Sequence, residues 1–429
     1  MTTSEGLLEL VVGPVAHGGH CVARHEGRVV FVRHALPGER VLAEVTEGGS
    51  RDRFWRADAV AVLTPSPDRV VPPCPFAGPG RCGGCDWQHA APAAQRRLKA
   101  DVVAEQLRRL AGIDVDVEVE AVPGPGVDAG TGLGWRTRVQ LAVDDGGRAG
   151  FRRHRSHDVQ VVDDCLIATD GVRALGLTHR RWPGAVAVEG VVPATGDDRL
   201  VVLTPSRPGR RPRLPDLPEG TSVAVATAPG TTERVRGRTW VTEQVGLPTG
   251  PRSFRVTGSG FWQVHPGAAA VLVEAVHEAL RPRPGEHALD LYAGAGLFAA
   301  ALAGAVGPDG AVLAVEGDAR AVADARRNLH DLPQVVVRQG RVDARLGGAG
   351  RADVVVLDPP RTGARRQVVE AVAALRPRAV AYVACDPAAL ARDLAYFGSA
   401  GYRLAGLRAL DLFPHTHHVE CVAHLVPAT

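Results

Sequence analysis

From residue 7 onward short apolar runs alternate with polar positions, as in "LLELVVGPV", "GRVVFVRHALPGERVLAEV" and "FWRADAVAVL". A period of two, broken by glycine and proline turns, predicts short antiparallel strands. Their spacing predicts a small barrel over residues 5–65, and the oligonucleotide-binding barrel is one candidate. The proline-rich "TPSPDRVVPPCP" reads as a boundary. Beyond it Leu98, Val102, Leu107 and Leu110 recur at near-helical spacing, predicting a helix from Pro92. Between residues 126 and 254, pieces such as "RTRVQLAV", "DRLVVLTP" and "TSVAVATA" predict a mostly antiparallel domain. Near Gly267 the pattern changes to β-α alternation: a helix "AAAVLVEAVHEAL", a strand "HALDLY", a loop "AGAG" and a helix from Leu297. The strand "AVLAVEGD", the helix "ARAVADARRNLH", the strands "QVVVRQG" and "ADVVVLDPP", another helix and the strand "RAVAYVAC" follow. Such alternation predicts a doubly wound, mostly parallel sheet. The expectation is a multidomain α/β chain divided into residues 5–65, 66–254 and 255–429.

Composition narrows the class. At 429 residues, 45% hydrophobic and 23% charged, the chain has the make-up of a soluble globular protein with more than one core. "MTTSEGLLELVVGP" lacks the basic-then-apolar order of a secretory signal, and no apolar run approaches the roughly 18 residues of a membrane span. A cytoplasmic monomer with no membrane contact and no obligate protein partner is expected. A net charge of +3 demands no polyanionic partner. Lys99 is the only lysine, so arginine supplies the rest of the positive charge. A GC-rich genome accounts for that bias, and arginine also suits RNA phosphates and bases. Seven cysteines, an odd number, argue against a disulfide framework. Cys74, Cys82 and Cys85 crowd into "CPFAGPGRCGGCDWQH", which in a reducing compartment points to metal.

Four stretches carry candidate chemistry. In "DLYAGAGLF", Gly294 and Gly296 allow a tight turn and a close approach to a ligand, and the next strand ends at Glu316, whose carboxylate can accept ribose hydroxyls. "LDPPR" ends a further strand at Asp358, either in a ligand site or as the cap of the next helix. "VAYVACDPAALARD" brings Cys385 to the carboxyl end of a buried strand, where ligands of open α/β sheets bind. In "DLFPHTHHVECV", Glu420 stands among apolar neighbours, where desolvation raises a carboxyl pKa; it suits either base work or a buried salt bridge. His415, His417 and His418 lack the helical i, i+4 spacing of a metal pair.

In order, "FWQVH", "DLYAGAG", "VEGD", "DPPR", "ACDPAALARD" and "DLFPHTHHVE" make the carboxyl half resemble the S-adenosylmethionine-dependent RNA 5-methyluridine methyltransferases. "GFRRHRSHDVQVVDDCLI" and the three-cysteine cluster resemble that family's iron-sulfur branch, and the first 65 or so residues resemble its TRAM barrel. The resemblance implies a Rossmann-like catalytic domain, with the helical stretch at about 92–125 packed against it. It implies Cys385 as nucleophile on uracil C6, Glu420 as the base that removes the C5 proton, and Asp358 beside the reacting groups. Gln263, Tyr292, Gly294, Gly296, Glu316 and Asp358 are implied to bind S-adenosylmethionine. Cys165 joins Cys74, Cys82 and Cys85 as ligand of a [4Fe-4S] cluster, zinc being the alternative. The site is expected to favour the Cys385 thiolate at neutral pH. The substrate implied is ribosomal RNA, favoured, or transfer RNA. Ala293, Leu297 and Asp386 depart from common family residues, and Cys74 and Cys82 are separated by seven residues where five are more usual. Two competing readings are an amino-group methyltransferase using the D-P-P motif and a cluster-bearing RNA-binding protein without activity.

Overall fold

The computed structural model describes residues 2–3, 6–49, 51–228, 231–346 and 350–428. Residue 5, the expected start of the barrel, lies outside them. The strands Leu7–Val11, Arg40–Glu47, Phe54–Thr64, Arg28–Arg33 and Cys21–His25 adjoin in that order. Alternate residues face inward, so Leu8, Leu10, Val30, Val32, Val41 and Ala43 are buried. Each fully buried valine or leucine contributes about 1.5–3 kcal/mol. Gly13 N–H donates to Val22 C=O and Val22 N–H to Pro14 C=O, each at 2.8 Å, which joins the first strand's continuation to the last strand and closes the barrel.

The helix Pro92–Gln106 begins with proline in its first turn and ends well before residue 125. A wider turn, Leu107–Ala111, is stopped by Gly112 at φ +66°, the left-handed conformation typical after a helix. The helix packs on both of its neighbours. Leu98 and Val102 enter the barrel core, while Val103 and Leu107 enter the carboxyl-terminal core.

A seven-stranded sheet runs from Val159–Val161 to Thr231–Arg236. Its neighbours are antiparallel except Leu200–Pro205 beside Ser222–Ala228. The hairpin Trp240–Leu247 and Gly250–Thr257 links this sheet to the last domain. Val245, Leu247 and Phe254 bury into the carboxyl-terminal core; Val241 and Val256 face Leu200 and Val202. The boundary expected at residue 254 therefore falls inside a continuous strand.

The last sheet has eight strands in the order Val335–Gln339, Ala311–Glu316, His287–Leu291, Val354–Leu357, Ala379–Ala384, Glu420–Pro427, Tyr402–Asp411 and Val119–Ala121. Glu420–Pro427 is antiparallel to both neighbours and every other adjacent pair is parallel. The chain order reverses between His287–Leu291 and Val354–Leu357, the switch point where a ligand crevice opens. A short helix, Val342–Leu346, follows Val335–Gln339 and had no periodic signal in the sequence.

Candidate active site at the carboxyl ends of the parallel strands

On one side of the switch point stands the glycine loop. Tyr292 (φ +66°) and Ala293 both donate their N–H to Val315 C=O, at 2.9 and 3.1 Å, pinning the turn to the next strand. Gly296 takes φ +93°, and a Cβ there would lie 2.8 Å from Leu329, so no side chain fits. Gly294 takes φ +53° with nothing within 4 Å of a built Cβ, which leaves its outer face open to a ligand. Glu316 accepts from Gly294 N–H at 2.9 Å and from Asp318 N–H at 2.7 Å, so its carboxylate is fixed at the loop. Asp290 accepts from Ala299 N–H at 2.7 Å through one oxygen, and its other oxygen is buried without a partner. Burial pushes its pKa up to about 8. Gln263 is half-buried; the adjacent Trp262 packs into the small cluster that contains Ala295 of the loop.

Asp358 follows Val354–Leu357, and its N–H donates to Leu291 C=O at 3.1 Å. The next helix starts at Arg365 with Ala364 as its cap, so Asp358 does not cap it. Desolvation first, and the Glu316 carboxylate second, push the Asp358 pKa up to about 7.

The nucleophile candidate and the base candidate come together through strand register. Ala384 stands opposite Cys421 in an antiparallel pair, so Cys385 and Glu420, the next residues outward, end on adjacent strands. Glu420 is 1% exposed, and its Oε1 is buried with no hydrogen-bond partner. Burial and then Asp358 hold its carboxyl well above the usual range, with Arg361 opposing. Among the described residues it forms no ion pair, so the salt-bridge alternative is not what the structure contains.

The expected thiolate preference at Cys385 needs correction. Burial, then the Glu420 carboxylate, push this thiol up to about 11; Arg361 opposes, and Asp358 and Asp386 add to the rise. Cys385 does precede the helix Pro387–Ser399, but Asp386 caps that helix by accepting from Ala389 N–H at 2.8 Å. The acidic cap takes up the positive end of the helix dipole that could have favoured a thiolate.

A pocket of about 90 Å³ beside Cys385 is lined by His17, Gly18 and Gly19 of the barrel together with Arg361, Asp386, His417 and His418. His17 Nε2 lies 3.1 Å from Asp386 Oδ2, which raises the His17 pKa through that hydrogen bond. The three carboxyl-terminal histidines have separate partners. His415 meets Gln95 and Thr131 C=O, His417 meets Asp86 at 2.7 Å, and His418 lies 3.5 Å from Arg361. No local pattern marked His17 or Asp86, whose partners lie more than 300 residues away. Arg361 was visible only as the last residue of "DPPR".

Cys74, Cys82, Cys85 and Cys165 are free thiols. Cys74 raises the pKa of Cys82, Cys165 and Cys82 raise that of Cys85, and Cys82 raises that of Cys165, so the four share one neighbourhood. Burial is the largest cause in each of these three cases. Among the described residues no group of three or more His, Cys, Asp or Glu side chains is arranged to hold a metal ion. No helix among them is long and apolar enough to cross a membrane.

Sheet order, glycine loop and strand-end residues define a Rossmann-like methyltransferase fold, here joined to a small barrel. Residues 8–60 match the TRAM domain, and residues 341–427 match the family described as tRNA (Uracil-5-)-methyltransferase. Residues 264–353 also match Protein-L-isoaspartate(D-aspartate) O-methyltransferase, a stretch that contains neither Cys385 nor Glu420. The chain is 56% identical to a Streptomyces coelicolor protein named as an uncharacterized RNA methyltransferase, covering 98% of this chain and 93% of that one. It is 34% identical to the 23S rRNA (uracil(1939)-C(5))-methyltransferase RlmD of Cronobacter sakazakii, over 94% and 93% of the two chains. In fold it is similar to the tRNA (uracil-54, C5)-methyltransferase of Pyrococcus abyssi, solved with S-adenosyl-L-homocysteine. That match has TM-score 0.70 and 23% identity, over 98% of this chain and 100% of that one. The chain belongs to the RNA uracil-C5 methyltransferase family.

Proposed function

We propose that this protein methylates C5 of a uridine in 23S ribosomal RNA through a covalent bond between Cys385 and C6 of the base. The observation that carries the reading is the meeting, at adjacent strand ends, of Cys385 with the buried Glu420, whose Oε1 has no hydrogen-bond partner. C5 of uracil is a weak nucleophile. Addition of the Cys385 sulfur to C6 turns the ring into an enolate whose C5 can attack an electrophilic methyl. S-adenosylmethionine, when bound, supplies that methyl on a sulfonium. Glu420 then takes the C5 proton; the C5–C6 double bond re-forms and the thiolate leaves. A carboxyl held above its usual pKa is matched to receiving a proton near neutral pH. Attack is coupled to transfer of the sulfhydryl proton to solvent, the thiolate that leaves at the end takes a proton back, and Arg361 is the positive charge opposing the raised thiol pKa.

The residues present fit the cofactor. The open face above Gly294, the tight turn at Gly296, the fixed carboxylate of Glu316 and the buried Asp290 make a cradle with hydrogen-bonding capacity. Gln263, Tyr292, Gly294, Gly296, Glu316 and Asp358 would hold S-adenosylmethionine, Glu316 at the ribose and Asp358 nearest the reacting groups. The target base must leave its stack to present C6 to Cys385. Ribosomal RNA is favoured because relatives at 34% identity are named for 23S rRNA, and a substrate of that kind supports the reading of a cytoplasmic enzyme.

For Cys74, Cys82, Cys85 and Cys165 the reading is a [4Fe-4S] cluster, with zinc as the alternative. Four soft sulfur donors in one neighbourhood suit either metal centre. Iron, sulfide and zinc analysis of anaerobically purified protein separates them. Incubation with 5-fluorouridine RNA and S-adenosylmethionine tests the main reading. A denaturant-resistant adduct on Cys385 is expected; neither an amino-group methyltransferase nor an inactive RNA-binding protein would give one.

A further inference from the structure

The loop that delivers Glu420 is held from outside the carboxyl-terminal domain. Asp411 ends the strand Tyr402–Asp411, and Leu410 pairs with Glu420, so residues 411–419 form a closed excursion between two paired positions. That excursion is buried at Asp411, Leu412, His415 and Thr416. Its polar groups are met from two sides: Asp86 and Trp87 N–H donate to His415 C=O and the Asp86 carboxylate meets His417, while the helix Pro92–Gln106 holds the Asp411–His415 stretch. Lys99 Nζ donates to Asp411 Oδ1 at 2.5 Å and to Phe413 C=O at 3.0 Å. Gln95 Oε1 accepts from His415 N–H at 2.6 Å, and Gln95 Nε2 lies 3.1 Å from His415 Nδ1. The same Nε2 donates to Trp87 and Ala90 C=O at 3.1 and 2.9 Å. Both side chains are 0% exposed.

Two features set Lys99 apart. It is the single lysine in a chain whose other long cationic side chains are all arginine. An ammonium is compact and can aim separate N–H groups at a carboxylate and a carbonyl in a closed slot; a planar guanidinium fork is larger and differently shaped. A buried ion pair is also a poor source of stability compared with apolar packing of the same volume. Its use here is therefore geometric.

We propose that Lys99, assisted by Gln95, is a positioning residue that fixes the Asp411–His415 segment and so places the Glu420 carboxyl beside Cys385. The proposal rests on Glu420 being the base of the reaction above. If it is, displacement of Glu420 slows release of the methylated base more than formation of the covalent bond. A defect of that kind leaves enzyme attached to product, which general loss of folding cannot do.

The test compares wild type, Glu420→Gln, Lys99→Met and Lys99→Met/Asp411→Leu on 23S rRNA from a strain lacking the gene. The double variant removes both charges and so leaves none buried alone, which keeps the test open should Lys99→Met fail to fold. Loss of a well-placed base costs about 10²–10⁴-fold, and a displaced one part of that. The expected result is a kcat about tenfold lower or more, KM values for RNA and S-adenosylmethionine within about twofold, and a denaturant-resistant protein–RNA adduct on ordinary RNA, as with Glu420→Gln. A double variant that turns over at the wild-type rate overturns the proposal. So does a fall in kcat without adduct, or one matched by loss of S-adenosylmethionine affinity. If wild type forms no adduct even with 5-fluorouridine RNA, the proposal falls together with the underlying reading; if wild type and Glu420→Gln behave as stated and only the Lys99 variants do not, it falls alone.

Discussion

The two halves of the site are built in opposite ways. The proposed cofactor side is largely local: Asp290, Tyr292, Gly294, Gly296, Glu316 and Asp318 lie in one β-α-β passage, where Glu316 ties Gly294 to Asp318 and Asp290 holds Ala299, and only Gln263 and Asp358 come from outside it. The side that holds Cys385 and Glu420 is gathered from distant segments. His17 comes from the barrel, Asp86 from the cysteine-rich segment, Gln95 and Lys99 from the bridging helix and Arg361 from the loop after Val354–Leu357. A local site can form whenever its domain folds. An assembled site forms only when the domains dock, which ties the proposed reacting groups to the barrel and the cysteine-rich segment.

The comparison makes variants separable by step. Glu420→Gln should lower turnover by about 10²–10⁴-fold while leaving S-adenosylmethionine affinity within about twofold, because the base acts after the cofactor is bound. Isothermal titration alongside methyl-transfer rates checks both; a matching loss of cofactor affinity would show that the halves are not independent. Alkylation of Cys385 in the free enzyme should have its midpoint near pH 11, against about 8.5 for an ordinary thiol. At neutral pH this lowers the thiolate fraction of Cys385 roughly three-hundredfold below that of a free thiol, and slows alkylation accordingly. The thiol is protonated below that midpoint, so reactivity rises with pH, and Glu420→Gln should shift the curve to lower pH by removing a negative neighbour. Iodoacetamide rates read by peptide mass spectrometry test this, and a curve flat above pH 7 would contradict it.

Smaller effects probe each half alone. Glu316→Ala should weaken S-adenosylmethionine binding about 10–100-fold, the worth of hydrogen bonds to a charged acceptor, while RNA affinity is unchanged. His17→Ala should reduce turnover only about two- to fivefold, since the His17–Asp386 pair is partly exposed, with side chains 41% and 26% accessible. Equal effects of His17→Ala and Glu420→Gln would erase the distinction between wall and reacting group.

The same contrast explains what the sequence could tell. The β-α alternation and the glycine loop were legible because local periodicity and turn chemistry create them. Cys385 and Glu420 were individually visible as polar residues closing apolar runs. Their adjacency depends on one antiparallel register, Ala384 opposite Cys421, which no local pattern encodes. The thiol's raised pKa was not legible either. A cysteine before a helix suggests a thiolate, but burial of the thiol itself, and then the Glu420, Asp358 and Asp386 carboxyls beside it, reverse the sign. Lys99 stood out in the sequence as the only lysine, but its partner Asp411 became visible only in the fold.

The most direct test is the intact mass of wild-type enzyme and Cys385→Ala after denaturation from a mixture with S-adenosylmethionine and 5-fluorouridine-substituted 23S rRNA fragments. A wild-type species heavier by one methylated RNA fragment, mapped to the peptide containing Cys385 and absent from the variant, is the predicted result. An unmodified wild-type mass, or Cys385→Ala methylating uridine at the wild-type rate, would contradict a reaction that runs through this sulfur.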